Sequence, residues 1–126
     1  MSIEVLVDLT GSPHVVLSLN ESIELFKCLE TETGGSRDLL ESLRIAESFD
    51  EYLRYLKKKF GEYITPQKDH REVLLGRTIV HKIKLFIRNG IKFIEIVFDR
   101  RFDIEHVKKC LKNLGYGNIK IRRQML

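Results

Sequence analysis

The chain is predicted to be α+β, a single domain over residues 1–126 with a mainly antiparallel sheet and helices packed on one face. Three observations lead there. Two runs rich in β-branched residues flank Asn89-Gly90, alternation marks a strand near either end, and helix-period apolar stripes with caps lie between. The element order reads about β-β-α-α-β-β-α-β.

Residues 79–98 organise the rest. Asn and Gly both tolerate the positive φ of a type I′ turn, so Asn89-Gly90 predicts a hairpin and fixes its register. Arg88 should face Ile91, Ile87 Lys92, Phe86 Phe93, Leu85 Ile94, Lys84 Glu95 and Ile83 Ile96. One face then carries Ile83, Leu85, Ile87, Ile94, Ile96 and Phe98. The other carries Lys82, Lys84, Phe86, Arg88, Ile91, Phe93, Glu95 and Val97. A competing reading makes 70–88 a helix capped by Asp69-x-x-Glu72, with Leu75, Ile79, Ile83 and Phe86 as its stripe. The β-branched Thr78, Ile79, Val80, Ile83 and Ile87 favour the hairpin.

In chain order, Ile3 to Leu9 alternates as a strand, and Thr10-Gly11-Ser12-Pro13 is turn chemistry. His14 to Leu19 reads as a second strand, antiparallel to the first. Asn20, or Ser18 with Glu21 as a capping box, starts a helix that buries Ile23, Phe26 and Leu29. Thr33-Gly34-Gly35-Ser36 breaks it, and Ser36 caps another with Leu39, Leu40 and Leu43 inside. Ser48-x-x-Glu51 caps a third helix or lies within one long one. Phe49, Leu53, Leu56, Phe60 and Tyr63 follow at helical spacing, with Lys57, Lys58 and Lys59 in the last turn. Gly61 and Pro66 end that segment, and 65–71 is a polar loop. Asp99 to Asp103 is a charged turn, and Asp103 caps a helix with the stripe Ile104, Val107, Leu111 and Leu114. Gly115 closes it. Asn118 to Arg123 is a last strand, with Ile119 and Ile121 pointing in and Lys120 and Arg122 out.

Charge is uneven along the chain. Residues 1–64 hold 7 Lys/Arg and 12 Asp/Glu, net −5; residues 65–126 hold 15 and 6, net +9. Such asymmetry points to an anionic partner, or to pairing between oppositely charged surfaces. No apolar run nears the roughly 18 residues of a membrane span, and the first residues show no signal-peptide core, so a cytoplasmic protein with no membrane partner is expected. Cys28 and Cys110 have no Cys-x-x-Cys spacing and are expected as separate buried thiols in a reducing compartment. Few Gln and Asn beside many Lys, Glu and Ile suggest a thermophile.

The basic second half carries the leading functional expectation, a non-enzymatic module binding the phosphates of RNA or DNA. Lys82, Lys84, Arg88, Arg100, Arg101, Arg122 and Arg123 are the candidate contacts, with Phe86 and Phe93 available for base stacking. The first alternative is a structural or assembly protein acting through homodimerisation or an acidic protein partner, using an exposed apolar patch of Phe86, Ile91, Phe93 and Val97.

The second alternative is a Mg-dependent nuclease with Asp8, Glu95 and Asp99 at strand ends. Restriction-type sites need Glu-x-Lys, whereas Glu95 precedes Ile96-Val97. His14, His70, His81 and His106 lack metal-ligand spacing, although a fold could gather His81 with Asp99 or Glu95. No catalytic residue, metal ligand or cofactor is assigned. The stretch Asp8-Leu9-Thr10-Gly11-Ser12 resembles the metal-ion-dependent adhesion site of von Willebrand A-type domains and the phosphorylated-aspartate motif of haloacid-dehalogenase-type ATPases. The first resemblance implies Mg²⁺ held by Asp8 and the two hydroxyls. In the second, Leu9 stands where those ATPases carry Lys. The simpler expectation is a strand running into a Gly-Ser-Pro turn.

Overall fold

The computed structural model describes residues 1–58 and 63–124. Its strands are β1 (Ser2–Val7), β2 (Pro13–Ser18), β3 (Val80–Arg88), β4 (Ile91–Phe98) and β5 (Asn118–Arg123). Its helices are α1 (Leu19–Thr33), α2 (Arg37–Glu47), α3 (Phe49–Lys58), α4 (His70–Leu74) and α5 (Ile104–Asn113). The fold is α+β, with one sheet in the order β3-β4-β2-β1-β5. Every pairing is antiparallel except β1 with β5.

The hairpin forms in the predicted register from Arg88↔Ile91 through Ile83↔Ile96. Asn89 (φ +53°) and Gly90 (φ +77°) take the positive angles the turn demands. A bulge between Val80 and Lys82 turns Val80 to the inner face beside Ile83, and both are fully buried. The helix reading of 70–88 survives only as α4. Asp69 does cap it, accepting from Arg71 N and Glu72 N.

Side-chain oxygens start the other helices as well. Ser18 accepts from Glu21 N, Ser36 from Leu39 N and Asp103 from Glu105 N. Ser48 separates α2 from α3 rather than lying within a continuous helix. The helices cover one face of the sheet, and the core between them draws on the whole sequence: Val5, Phe26, Leu39, Ile83, Ile96 and Leu111 are all buried in it.

Four expectations are corrected. Cys28 and Cys110 are not separate thiols but a disulfide joining α1 to α5 across 82 residues. Leu40 is 49% exposed, because the buried stripe of α2 runs through Leu39, Ser42 and Ile45. Tyr63 belongs to no helix; it precedes Ile64, whose backbone bridges Ile83 at the free edge of β3. Ile121 shares the inner-face register of Val5, yet edge strand β5 leaves it exposed. Lys59, Phe60 and Gly61 lie outside the described residues. Among the described residues no helix is long and apolar enough to cross a membrane.

Candidate nucleic-acid interface

Strand alternation sends every second side chain away from the helices. The ladders align these into rows across the sheet. One row runs Lys82, Val97, His14, Leu6, Arg122 from β3 to β5. The next holds Lys84, Glu95 and Val16 on β3, β4 and β2, with Glu4 beside Lys120 on β1 and β5. A third holds Phe86, Phe93 and Ser18, and Arg88 pairs with Ile91 at the hairpin end. Basic residues thus sit at both margins of this face, with apolar and acidic ones between.

The phenylalanines stack with ring centroids 5.5 Å apart and are half-buried. The Arg88 guanidinium lies 5.5 Å from the centroid of Phe86. Tyr63 reaches over the face from the β3 edge and donates its hydroxyl to Glu95 Oε2. Lys82 Nζ stands 4.3 Å and Lys84 Nζ 5.7 Å from the Tyr63 ring centroid. The three cations of β3 therefore lie along aromatic rings on one surface, a cation–π arrangement. Val97 is corrected as a member of the apolar patch, being fully buried, whereas Val16 is 45% and Ile91 53% exposed.

The other candidates divide. Arg122 faces the same way as the β3 cations but pairs with Glu4 at 3.0 Å. Arg123 aligns with Val7 and so belongs to the opposite face. Arg100 and Arg101 line a cleft of about 380 Å³ at the sheet end, together with Thr10, Ser12, His81 and Asp99. Arg101 acts there as a strut. Its Nε lies 3.3 Å from Asp99 Oδ1, and its terminal nitrogens reach the Val73 carbonyl and Thr78 Oγ1. Arg100 is exposed and has no ion-pair partner among the described residues.

The Asp8–Ser12 stretch is a self-satisfied turn. Asp8 Oδ1 accepts from Thr10 N, Thr10 Oγ1 and Ser12 N, while Oδ2 meets His14 Nε2 at 2.7 Å. Burial pushes the Asp8 carboxyl up, but the Thr10 and His14 side chains and the two amides outweigh it and hold it well below the usual range. His14 Nδ1 lies 3.6 Å from Glu95 Oε2, so this ring stands between two of the three carboxylates a nuclease would use. The third, Asp99, is engaged by Thr78 and Arg101 instead. No group of three or more metal-ligating side chains occurs among the described residues.

His81 shares the cleft with Asp99. His81 as a whole is exposed, but partial desolvation of its ring in the cleft, then Lys68 and Lys82, lower its pKa from 6.5, against the weaker pull of Asp99 and Asp8. A depressed histidine contributes stability in full above its unfolded value, and loses it as pH falls from 6.5 to its folded value. His81→Gln should therefore flatten the decline in melting temperature as pH falls below 6.5. An unchanged slope would remove His81 as its source. Asp99 is also lowered, from 3.8: burial opposes the shift, and Thr78 and Arg101 dominate. Its contribution is present above that value and is lost only at lower pH, so the two windows separate.

Sequence reasoning missed Tyr63 and His14. Pro66 and the glycine before Tyr63 were the available signals that Tyr63 leaves the helix. Nothing local showed that His14 would meet Glu95 across β2 and β4. The chain matches no protein-family model, and comparison with curated proteins and with solved structures returns no significant match.

Proposed function

We propose that the chain is a non-enzymatic module that binds single-stranded nucleic acid across the face of the sheet turned away from the helices. The observation that carries this reading is the stacked Phe86–Phe93 pair in line with Lys82, Lys84 and Arg88. Bases stack on the aromatic surface, cations neutralise the phosphates, and Arg100 extends the basic track toward the end cleft. A single strand suits the site better than a duplex, because bases already stacked and paired in a duplex are not free to stack on protein rings. The nuclease alternative is disfavoured by the commitment of Asp8 to its own turn and to His14.

The test is anisotropy of labelled 12-nucleotide single- and double-stranded RNA and DNA, titrated with salt. Single strands should bind at micromolar concentration, with a log–log salt slope of about −2 for three neutralised phosphates. Phe86→Ala/Phe93→Ala should weaken binding at least about tenfold, since each stacked base is worth roughly 1–3 kcal/mol. Lys82→Ala/Arg88→Ala should flatten the slope by about one unit or more. Absence of binding at low salt overturns the proposal, as does affinity indifferent to both pairs of substitutions.

A further inference from the structure

A second surface lies away from the sheet face. The α1–α2 turn, Thr33 to Ser36, and the short helix α4 border a groove of about 720 Å³. Leu40 and Leu75 line it, and Leu74 stands beside Leu75 in the chain. These leucines are 49%, 63% and 71% exposed. Two large aliphatic side chains this open in one groove, with a third next to one of them in the chain, mark a candidate contact surface.

The charge around them is specific. Arg37, Arg71 and Arg77 rim the groove and are exposed. The acidic residues beside them already serve backbone amides. Asp69 accepts from Arg71 N and Glu72 N, and Glu72 Oε1 accepts from Arg37 N at 2.9 Å. The Arg37 guanidinium donates to Gln67 Oε1. Those of Arg71 and Arg77 have no ion-pair partner among the described residues. The groove therefore sets two exposed leucines among polar residues, with three arginines at its rim against two carboxylates.

We infer that this groove docks an acidic peptide segment of a partner protein, one carrying leucine-like side chains flanked by Asp or Glu. Carboxylates match the planar guanidinium fork, and aliphatic side chains would cover Leu40 and Leu75. Nucleic acid fits less well, because leucines give bases no stacking surface. A second copy joined through the same patch fits less well too. A two-fold contact sets a patch against itself and would bring the arginines of both copies together.

The probe is a fluorescein-labelled peptide of repeating Glu-Glu-Leu-Leu, twelve residues long, read by anisotropy against the whole chain. A Lys-Lys-Leu-Leu peptide is the charge control. The expected result is saturable binding of the acidic peptide alone. Arg71→Glu/Arg77→Glu and, separately, Leu40→Ser/Leu75→Ser should each weaken it at least about tenfold. All four positions are exposed, so both variants should keep the parent melting temperature, and either serves if the other fails to fold. The proposal is overturned if the acidic peptide does not bind, if both peptides bind equally, or if neither variant matters. It is also overturned if light scattering shows a dimer that Leu40→Ser/Leu75→Ser dissociates, which would make a second copy the occupant. Phe86→Ala/Phe93→Ala should leave peptide binding unchanged, so this proposal and the nucleic-acid one fail separately.

Discussion

Reducing the Cys28–Cys110 disulfide is expected to cost about 4 kcal/mol of stability. The bond closes a loop of 82 residues, and loop-closure entropy for that length gives about 4.5 kcal/mol, near the top of what disulfides usually contribute. For a domain of this size, about 4 kcal/mol corresponds to a drop of roughly 15 °C in melting temperature. The bond also holds α5 to α1 beside the buried Val107 and Leu111, so its loss loosens one side of the core rather than a surface loop. Calorimetry with and without a phosphine reductant measures this directly. Cys28→Ser with Cys110→Ala reproduces it without reductant, alanine being chosen because Cys110 is completely buried. Melting points within about 3 °C of each other, oxidised and reduced, would contradict it. So would two titratable thiols in the unfolded, unreduced protein.

The second large effect is expected at Asp38. This side chain is fully buried at the start of α2, and its Oδ2 accepts from Ile79 N at 2.8 Å and from Val80 N. It thereby fastens a helix N-terminus to the beginning of β3, at the bulge. Its other oxygen, Oδ1, is buried with no hydrogen-bond partner among the described residues. Asp38→Ala leaves two buried amides without an acceptor, at roughly 1–3 kcal/mol each. It also removes an acidic group near the helix N-terminus, worth about 0.3–1 kcal/mol. Relief from burying the carboxyl offsets part of this, so the net loss should be about 3 kcal/mol. Asp38→Asn retains an acceptor of the same shape and should stay within about 1 kcal/mol of the parent. Urea unfolding of both variants, with hydrogen exchange at the Ile79 and Val80 amides, tests the assignment. If Asp38→Ala is as stable as Asp38→Asn and the two amides exchange at the parent rate, the side chain does not hold this junction.

What could be read in advance is what short-range chemistry decides. Asn89-Gly90 specifies its turn by backbone angle alone, and the turn then sets every cross-strand partner from Arg88 to Ile83. Ser18, Ser36, Asp69 and Asp103 announce helix starts because their oxygens satisfy amides two or three residues on. The rest depends on separated parts of the chain meeting. The cysteines pair only because α1 and α5 pack side by side, which no spacing rule encodes. Leu39, Leu40 and Leu43 suit a helix face equally well, and only the neighbouring elements decide that Leu40 is left out. At the candidate interface, the cations of β3 were legible because register assigns a face. Arg101 was not, because turn geometry bends it back onto Asp99, Thr78 and Val73.

The β1–β5 pairing carries a consequence for how the chain is made. Ser2 pairs with Asn118, so β1 must wait for more than a hundred later residues before its neighbour exists. Throughout that interval β1 is a bare edge of alternating apolar residues, the kind of template on which nascent chains stick to one another. When β5 arrives it covers that edge and presents Lys120, Arg122 and Arg123 as the new margin, and charged margins of this kind resist further strand addition. Chains halted before Asn118 should therefore be lost mainly to aggregation, whatever the quality of their helices and hairpin.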